Sequence, residues 1–228
     1  MTSPGLPRTF TESWVRGMLA TVLGSADTEG VASALGELDR RAGDGDFGTN
    51  LTAAFTRMRD AIETTHPDTD ESWLTTVSRG FLGTGGTSGT LFGMAFRDLA
   101  RCTDVDTLGV DELSRGLTAA LATVQRYGGA EVGHKTMVDA LAPAAEALAE
   151  QVASGADPTA ALDAAAAAAQ HGALSTRDAV ARRGRASYVG DVAVGVIDPG
   201  AVALALVLQC AASAARGDGD AADLGWAL

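Results

Sequence analysis

The chain has 228 residues, 46% of them hydrophobic and only 5% aromatic, with a formal charge of -12. That length can bury a large core, and no Pro/Ser-rich linker or charge block divides it, so residues 1–228 are read as one domain. The acidic balance, with no basic stripe to offset it, argues against nucleic acid as a partner because the phosphate backbone would be repelled.

The first ten residues, MTSPGLPRTF, lack a basic region followed by an apolar core. The longest apolar stretch, residues 201–208, falls well short of the ~18 residues of a membrane span, so a soluble cytoplasmic protein is expected. Thr9 with Glu12 has the spacing of a capping box, opening a helix in which Val15, Leu19 and Val22 recur at helical period. Asp70 and Asp111 are candidate caps, and Leu113, Leu117, Leu121 and Val124 form one apolar stripe after the second. Met137, Leu141, Ala144, Leu148 and Val152 form the next stripe. Asp157 followed by Pro158 marks the start of an alanine-rich helix, Ser175 with Asp178 repeats the capping spacing, and Asp198-Pro199 begins the last long helix. Roughly eight helices of about 10 to 18 residues with short loops predict an all-α fold of antiparallel neighbours. Cys102 and Cys210, far apart in apolar surroundings, are expected to be buried free thiols.

Glycine gathers in five segments between these helices: RAGDGDFGTN, GFLGTGGTSGTLFG, RYGGAEVGHKTM, RRGRASYVGD and VIDPGA. In the first, Asp39, Asp44 and Asp46 fall within eight positions, and the intervening glycines let their carboxylates converge. Clustered carboxylates repel one another unless a hard divalent cation such as magnesium neutralises them, although an exposed Asp-Gly turn accounts for the local sequence equally well. The second segment resembles a phosphate cradle leading into a helix N-terminus, with Thr87 and Ser88 as hydroxyl donors or Ser88 as a simple cap. It is not a Walker A loop, since no lysine follows the glycines and no strand precedes them. Lys135, the one lysine beside sixteen arginines, sits at another helix start with Thr136, Met137 and Asp139. Met137 has the pattern of a core residue. Arg185 could meet phosphate or stack on a base, and Tyr188 could cover that loop. His66 and His171 read as surface residues, and no nucleophile arrangement is present, so covalent catalysis is not expected.

Taken in order, LDRRAGDGDFGTN, GGTSGTLFG, GHKTMVDALAPA, GRASYVGD and DPGA resemble the L subunit of dihydroxyacetone kinase, DhaL, over residues 38–204. The resemblance implies a closed up-and-down barrel of eight antiparallel helices with ADP or ATP bound in the loops at one end. It implies that Asp39, Asp44 and Asp46 hold two magnesium ions. It also implies nucleotide contacts from Phe47, Gly48, Thr49, Asn50, Thr87, Ser88, Gly128, Met137, Arg185, Asp198, Pro199 and Gly200. The acceptor ketose would sit on a separate K-type subunit, and a phosphotransferase-system phosphocarrier could recharge the nucleotide. Two positions depart from the pattern: many L subunits have histidine where Phe47 stands and aspartate where His134 stands. The expected function is a phosphotransfer subunit of a short-ketose kinase; the alternatives are a nucleotide-dependent regulatory module that docks without catalysis and, last, a magnesium-dependent phosphatase or nucleotide hydrolase.

Overall fold

The computed structural model describes residues 5–25, 28–103, 108–218 and 221–228, and among them there is no strand. The helices are α1 (Phe10–Leu23), α2 (Ala32–Ala42), α3 (Phe47–Thr65), α4 (Asp70–Leu82), α5 (Thr87–Arg101), α6 (Val110–Gly128), α7 (Val138–Ala153), α8 (Pro158–Ser175), the short α9 (Ala186–Val189) and α10 (Pro199–Arg216). From α2 to α8 each helix packs on the next, α8 packs on α10, and α10 returns to α2. Eight helices therefore close a ring, and α1 packs against it through α10, α3 and α4.

Among the described residues nine long helices stand where about eight are expected, because α1 packs against α3, α4 and α10 in addition to the eight of the ring, and α3 and α6 reach 19 residues. Several caps also differ. Thr9 makes no side-chain cap; Glu12 instead pairs with Arg16 one turn on. The cap of α4 is Thr69 in a reciprocal box with Ser72, which leaves Asp70 free to accept from Leu108 N at 2.7 Å. For α6 the cap position is Gly109, and Asp111 lies in the first turn. Ser175 opens no helix, because it is the last residue of α8 before a 3-10 turn, Thr176–Asp178. Asp157 and Asp198 do cap α8 and α10, accepting from Thr159 N and Ala201 N.

Small side chains let the helices approach closely. In α8 the buried face is almost all alanine, and a Cβ at Gly172 would strike the Asp139 carbonyl and lie 2.9 Å from the Pro143 ring. A pairing this close gains many dispersion contacts without large side chains. The bulk comes from few residues. Five of the six phenylalanines, all but Phe47, join Trp14 in one aromatic column. Phe81 is its centre, 5.1 Å from Phe92, 5.6 Å from Phe55 and 6.0 Å from Phe96. Trp14 Nε1 donates to the Val207 carbonyl at 2.8 Å, which ties α1 to α10.

By length and composition α10 is apolar enough to cross a membrane, but 83% of it is buried within the protein, as befits a core helix. Cys102 and Cys210 are free thiols, Cys210 buried and Cys102 half-buried; Cys210 faces the Thr21 hydroxyl at 3.3 Å.

Truncating Phe81 to alanine removes the centre of the column, and a buried aromatic lost this way costs about 3–5 kcal/mol. The expected result is a melting temperature lower by roughly 6–20 °C for a chain of this size, read by circular dichroism at 222 nm.

Candidate functional site

Alternation in the ring sends α2, α4, α6 and α8 toward one end and starts α3, α5, α7 and α10 there. The loops at that end surround a cavity of about 230 Å³. Phe47, Thr87, Val138 and Pro199, the first residues of those four helices, all line it. The N–H groups of a helix's first turn have no partner within the helix and carry partial positive charge, so four N-termini on one cavity make a strong anion-binding field. Asn50, one turn into α3, lies close to the glycine loop before α5, its Nδ2 3.5 Å from where a Cβ at Gly86 would be. Gly86 has φ +90 and is the cap position of α5; Thr87 and Ser88 belong to the first turn, so Ser88 is not the cap.

The acidic loop between α2 and α3 enters the same cavity. Asp39, buried at the end of α2, accepts from Phe47 N at 3.0 Å and so caps α3 from the neighbouring helix. Gly43 is needed there, because a Cβ would run into the Asp39 carboxylate. Asp44 and Asp46 are more exposed. Arg185 pairs with Asp44 and stands 4.0 Å from Asp46. Among the described residues no three carboxylate, imidazole or thiol groups are gathered around one point as in an ion's shell. The donor set is still that of a hard cation, all carboxylate oxygen beside phosphate-attracting N–H groups.

Arg185 comes from the connection between α8 and α10, a strap whose ends meet where Gly195 N donates to the Arg177 carbonyl at 2.8 Å. Arg182 N donates to the His134 carbonyl, and Arg183 Nε to the Gly129 carbonyl at 2.9 Å. Tyr188 does not cover the loop: it is 87% exposed at the cavity rim. Beneath the strap lies Lys135, buried, with its Nζ donating to the carbonyls of Thr176 and Val196 at 2.5 and 2.6 Å. Burial lowers its pKa, opposed by the charges of Asp198, Asp139 and Asp178. Asp198 is pushed up to about 7, chiefly by desolvation, although Ala201 N and Lys135 favour its charged form.

Most of the expected residues thus share one cavity. Asp39, Asp44, Asp46, Phe47, Asn50, Thr87, Ser88, Gly128, Met137, Arg185, Asp198, Pro199 and Gly200 line it; Gly48 and Thr49 do not. Gly48 is pressed against α2, where a Cβ would meet the Ala32 carbonyl and lie 2.9 Å from Gly36 Cα, and Thr49 points to solvent. Met137 is both core and cavity wall. His134 lies beside the site, its Nδ1 accepting from Glu131 N. Sequence reasoning missed Arg183, which looks like any surface arginine, and the structural work of Lys135, whose one signal was its isolation among arginines.

Comparison with known proteins adds four findings. A DAK2 domain matches residues 41–213, a stretch that begins two residues after Asp39. The chain is 34% identical over 182 residues to the "PEP-dependent dihydroxyacetone kinase, ADP-binding subunit DhaL" of Escherichia coli, covering 78% of this chain and 86% of that one. It is 36% identical over 187 residues to the L-erythrulose 1-kinase of Mycolicibacterium smegmatis, covering 77% of this chain but only 31% of that kinase. Among solved structures, the dihydroxyacetone kinase of C. freundii in complex with AMP-PNP and Mg2+ superposes with a TM-score of 0.66 at 27% identity, over 93% of this chain and 35% of that one. The chain therefore spans about a third of these larger kinases and most of the L subunit.

The raised Asp198 carboxyl makes a pH signature. Between the ordinary carboxylate range and about 7 the folded protein holds a proton that the unfolded chain has lost, so its contribution to stability falls as pH climbs through that window. Asp198→Asn keeps the cap and cannot ionise. In magnesium-free buffer it is expected to be more stable than wild type at pH 8.5 by about 1–2 kcal/mol, allowing for the partial exposure of the residue. The gap should narrow by pH 5 and close only below about pH 4, where the unfolded chain is protonated as well, as read by urea unfolding at pH 8.5, 5 and 3.5.

Proposed function

Because the chain belongs to the DAK2 domain family, we propose that it is the ADP- or ATP-binding phosphotransfer subunit of a kinase acting on a short ketose, with residues 1–228 forming one nucleotide-binding unit. The observation that carries this reading is the convergence of four helix N-termini and three aspartates on one cavity. Such N-termini attract phosphate; such aspartates attract a divalent cation; a magnesium nucleotide satisfies both.

Asp39, Asp44 and Asp46 would hold the magnesium, which when bound neutralises the phosphates and the charge that develops on the group in transfer. For this, Arg185 must leave Asp44, and the phosphates are its natural next partner. The first turns of α5 and α10 present N–H groups to the phosphate oxygens, with the Thr87 and Ser88 hydroxyls beside them. Met137 and Gly128 offer an apolar wall to the base. Asp39 is held in place by Phe47 N, so one member of the trio is preset whatever occupies the cavity. The work of the chain is positioning and charge stabilisation, with no covalent step on its own side chains.

The acceptor would be carried by a partner, a K-type ketose-binding subunit. Among the described residues, the large hydrophobic side chains left exposed are Leu82, Tyr127, Val132, Val180, Tyr188, Val192, Val194 and Leu228. All but Leu228 belong to the loops and helix ends around the cavity mouth. An apolar rim around a charged cavity suits a partner that seals the site from water while the phosphoryl group moves. The cytoplasm, where such donors are available, is the compartment this reading requires, and a phosphocarrier recharging bound ADP is the alternative to exchange with free ATP.

Two measurements test the proposal. Asp44→Asn should weaken binding of a fluorescent ADP analogue at least tenfold in magnesium and leave binding in EDTA unchanged. Mixing the chain with a ketose-binding subunit, magnesium, and either ATP or a phosphocarrier should yield ketose phosphate from dihydroxyacetone or erythrulose. No product with any pairing, together with loss of partner binding in Asp44→Asn, would assign the chain to nucleotide-dependent regulation instead.

A further inference from the structure

Residues 177–195 cross the cavity mouth as a strap that brings Arg185 to Asp44 and Arg183 to the Gly129 carbonyl. Its only regular structure is the one-turn α9 and two 3-10 turns, Thr176–Asp178 at its first foot and Gly190–Ala193, so its course depends on anchors outside it. The two residues just outside its ends are Thr176 and Val196, and both of their carbonyls accept from one atom, Lys135 Nζ. Lys135 itself belongs to neither foot; it comes from the turn before α7. We propose that Lys135 is a positioning residue whose buried ammonium clamps both feet of the strap and thereby sets where Arg185 meets the acidic loop.

Three observations carry this. First, the residue is 1% exposed and its Nζ donates to one backbone carbonyl at each foot, so the ammonium joins the two segments even though its charge is also felt by Asp198 at the cavity wall. Second, its backbone has φ +60, a conformation that non-glycine residues rarely adopt. Asp139 holds it there by accepting from Gly133 N at 2.5 Å and Thr136 N at 2.8 Å. A strained backbone kept by a dedicated clasp indicates that the direction of this side chain matters. Third, the other sixteen basic residues are all arginine. A planar guanidinium carries five donors and could not satisfy them on two carbonyls in a space that seats a compact ammonium. Thr176 strengthens the same foot: its hydroxyl accepts from Asp198 N at 2.9 Å and donates to the Ala173 carbonyl at 2.6 Å.

The role of Arg185 in nucleotide binding rests on the proposed function; the clamp itself does not, and the experiment separates them. Nucleotide-free full-length protein is digested briefly with trypsin, and initial cleavage after Arg182, Arg183 and Arg185 is compared by mass spectrometry with cleavage after Arg59 and Arg115. Lys135→Met and Lys135→Arg should each raise strap cleavage at least tenfold without changing the helical sites, and Thr176→Val should do so by a few fold. A parallel rise at all sites, or wild-type cleavage in Lys135→Arg, overturns the clamp. In magnesium, both Lys135 variants should weaken binding of the fluorescent ADP analogue at least tenfold in the wild-type background but no more than twofold in Arg185→Gln. Additive losses would overturn action through Arg185. If wild type itself does not bind the analogue, the nucleotide reading fails while the cleavage pattern still decides for or against the clamp.

Discussion

Closure of the ring with antiparallel neighbours is the constraint on which the rest of the molecule depends. Every second helix must begin at the same end, so the partial positive charges of α3, α5, α7 and α10 are focused on one cavity by topology alone. What distinguishes the site is the combination: carboxylates placed inside a field that attracts anions. The net charge of -12 is a poor guide to this local chemistry, because the field at the cavity is set by oriented N–H groups and a few arginines rather than by the sum over the chain.

The electrostatics of the cavity follow from that combination. Asp39 finds an N–H donor, Asp44 finds Arg185, and Asp198 finds Ala201 N with Lys135 near it. Each carboxylate has a different neutralising partner, drawn from a different element. Under the proposed function Arg185 is the one whose partner would change on cation binding, and it is carried by the strap rather than by the ring. The parts of the site are thus separated in the chain: the ring and its loops present carboxylates and N–H groups, and a single connection presents the guanidinium.

Much of this was legible before any coordinates. Helical periodicity located the core faces around Leu113 to Val124 and Met137 to Leu148, and the Asp-Pro pairs at 157 and 198 marked two helix starts, because these signals are local and each has one physical meaning. The caps at Thr9, Asp70 and Ser175 failed for the same reason in reverse: spacing allows a box, but tertiary contacts decide which hydroxyl or carboxylate is free to close it. Asp70 is occupied by Leu108 N, and Ser175 by the Gly172 carbonyl. The gathering of five glycine loops at one cavity was visible only as a resemblance, since no periodicity reports which helix ends meet. Least legible was Lys135, whose partners are two backbone carbonyls 41 and 61 positions away and therefore leave no trace in side-chain chemistry.

Parity has a consequence of its own. A ring of eight alternating helices has no edge and no slack in direction: removing one helix, or inserting one, would leave two parallel neighbours and carry every later N-terminus to the wrong end. Growth or loss in this architecture has to proceed by hairpins, two helices at a time. A single added helix has to pack among the others without joining the alternation, as α1 does against α3, α4 and α10.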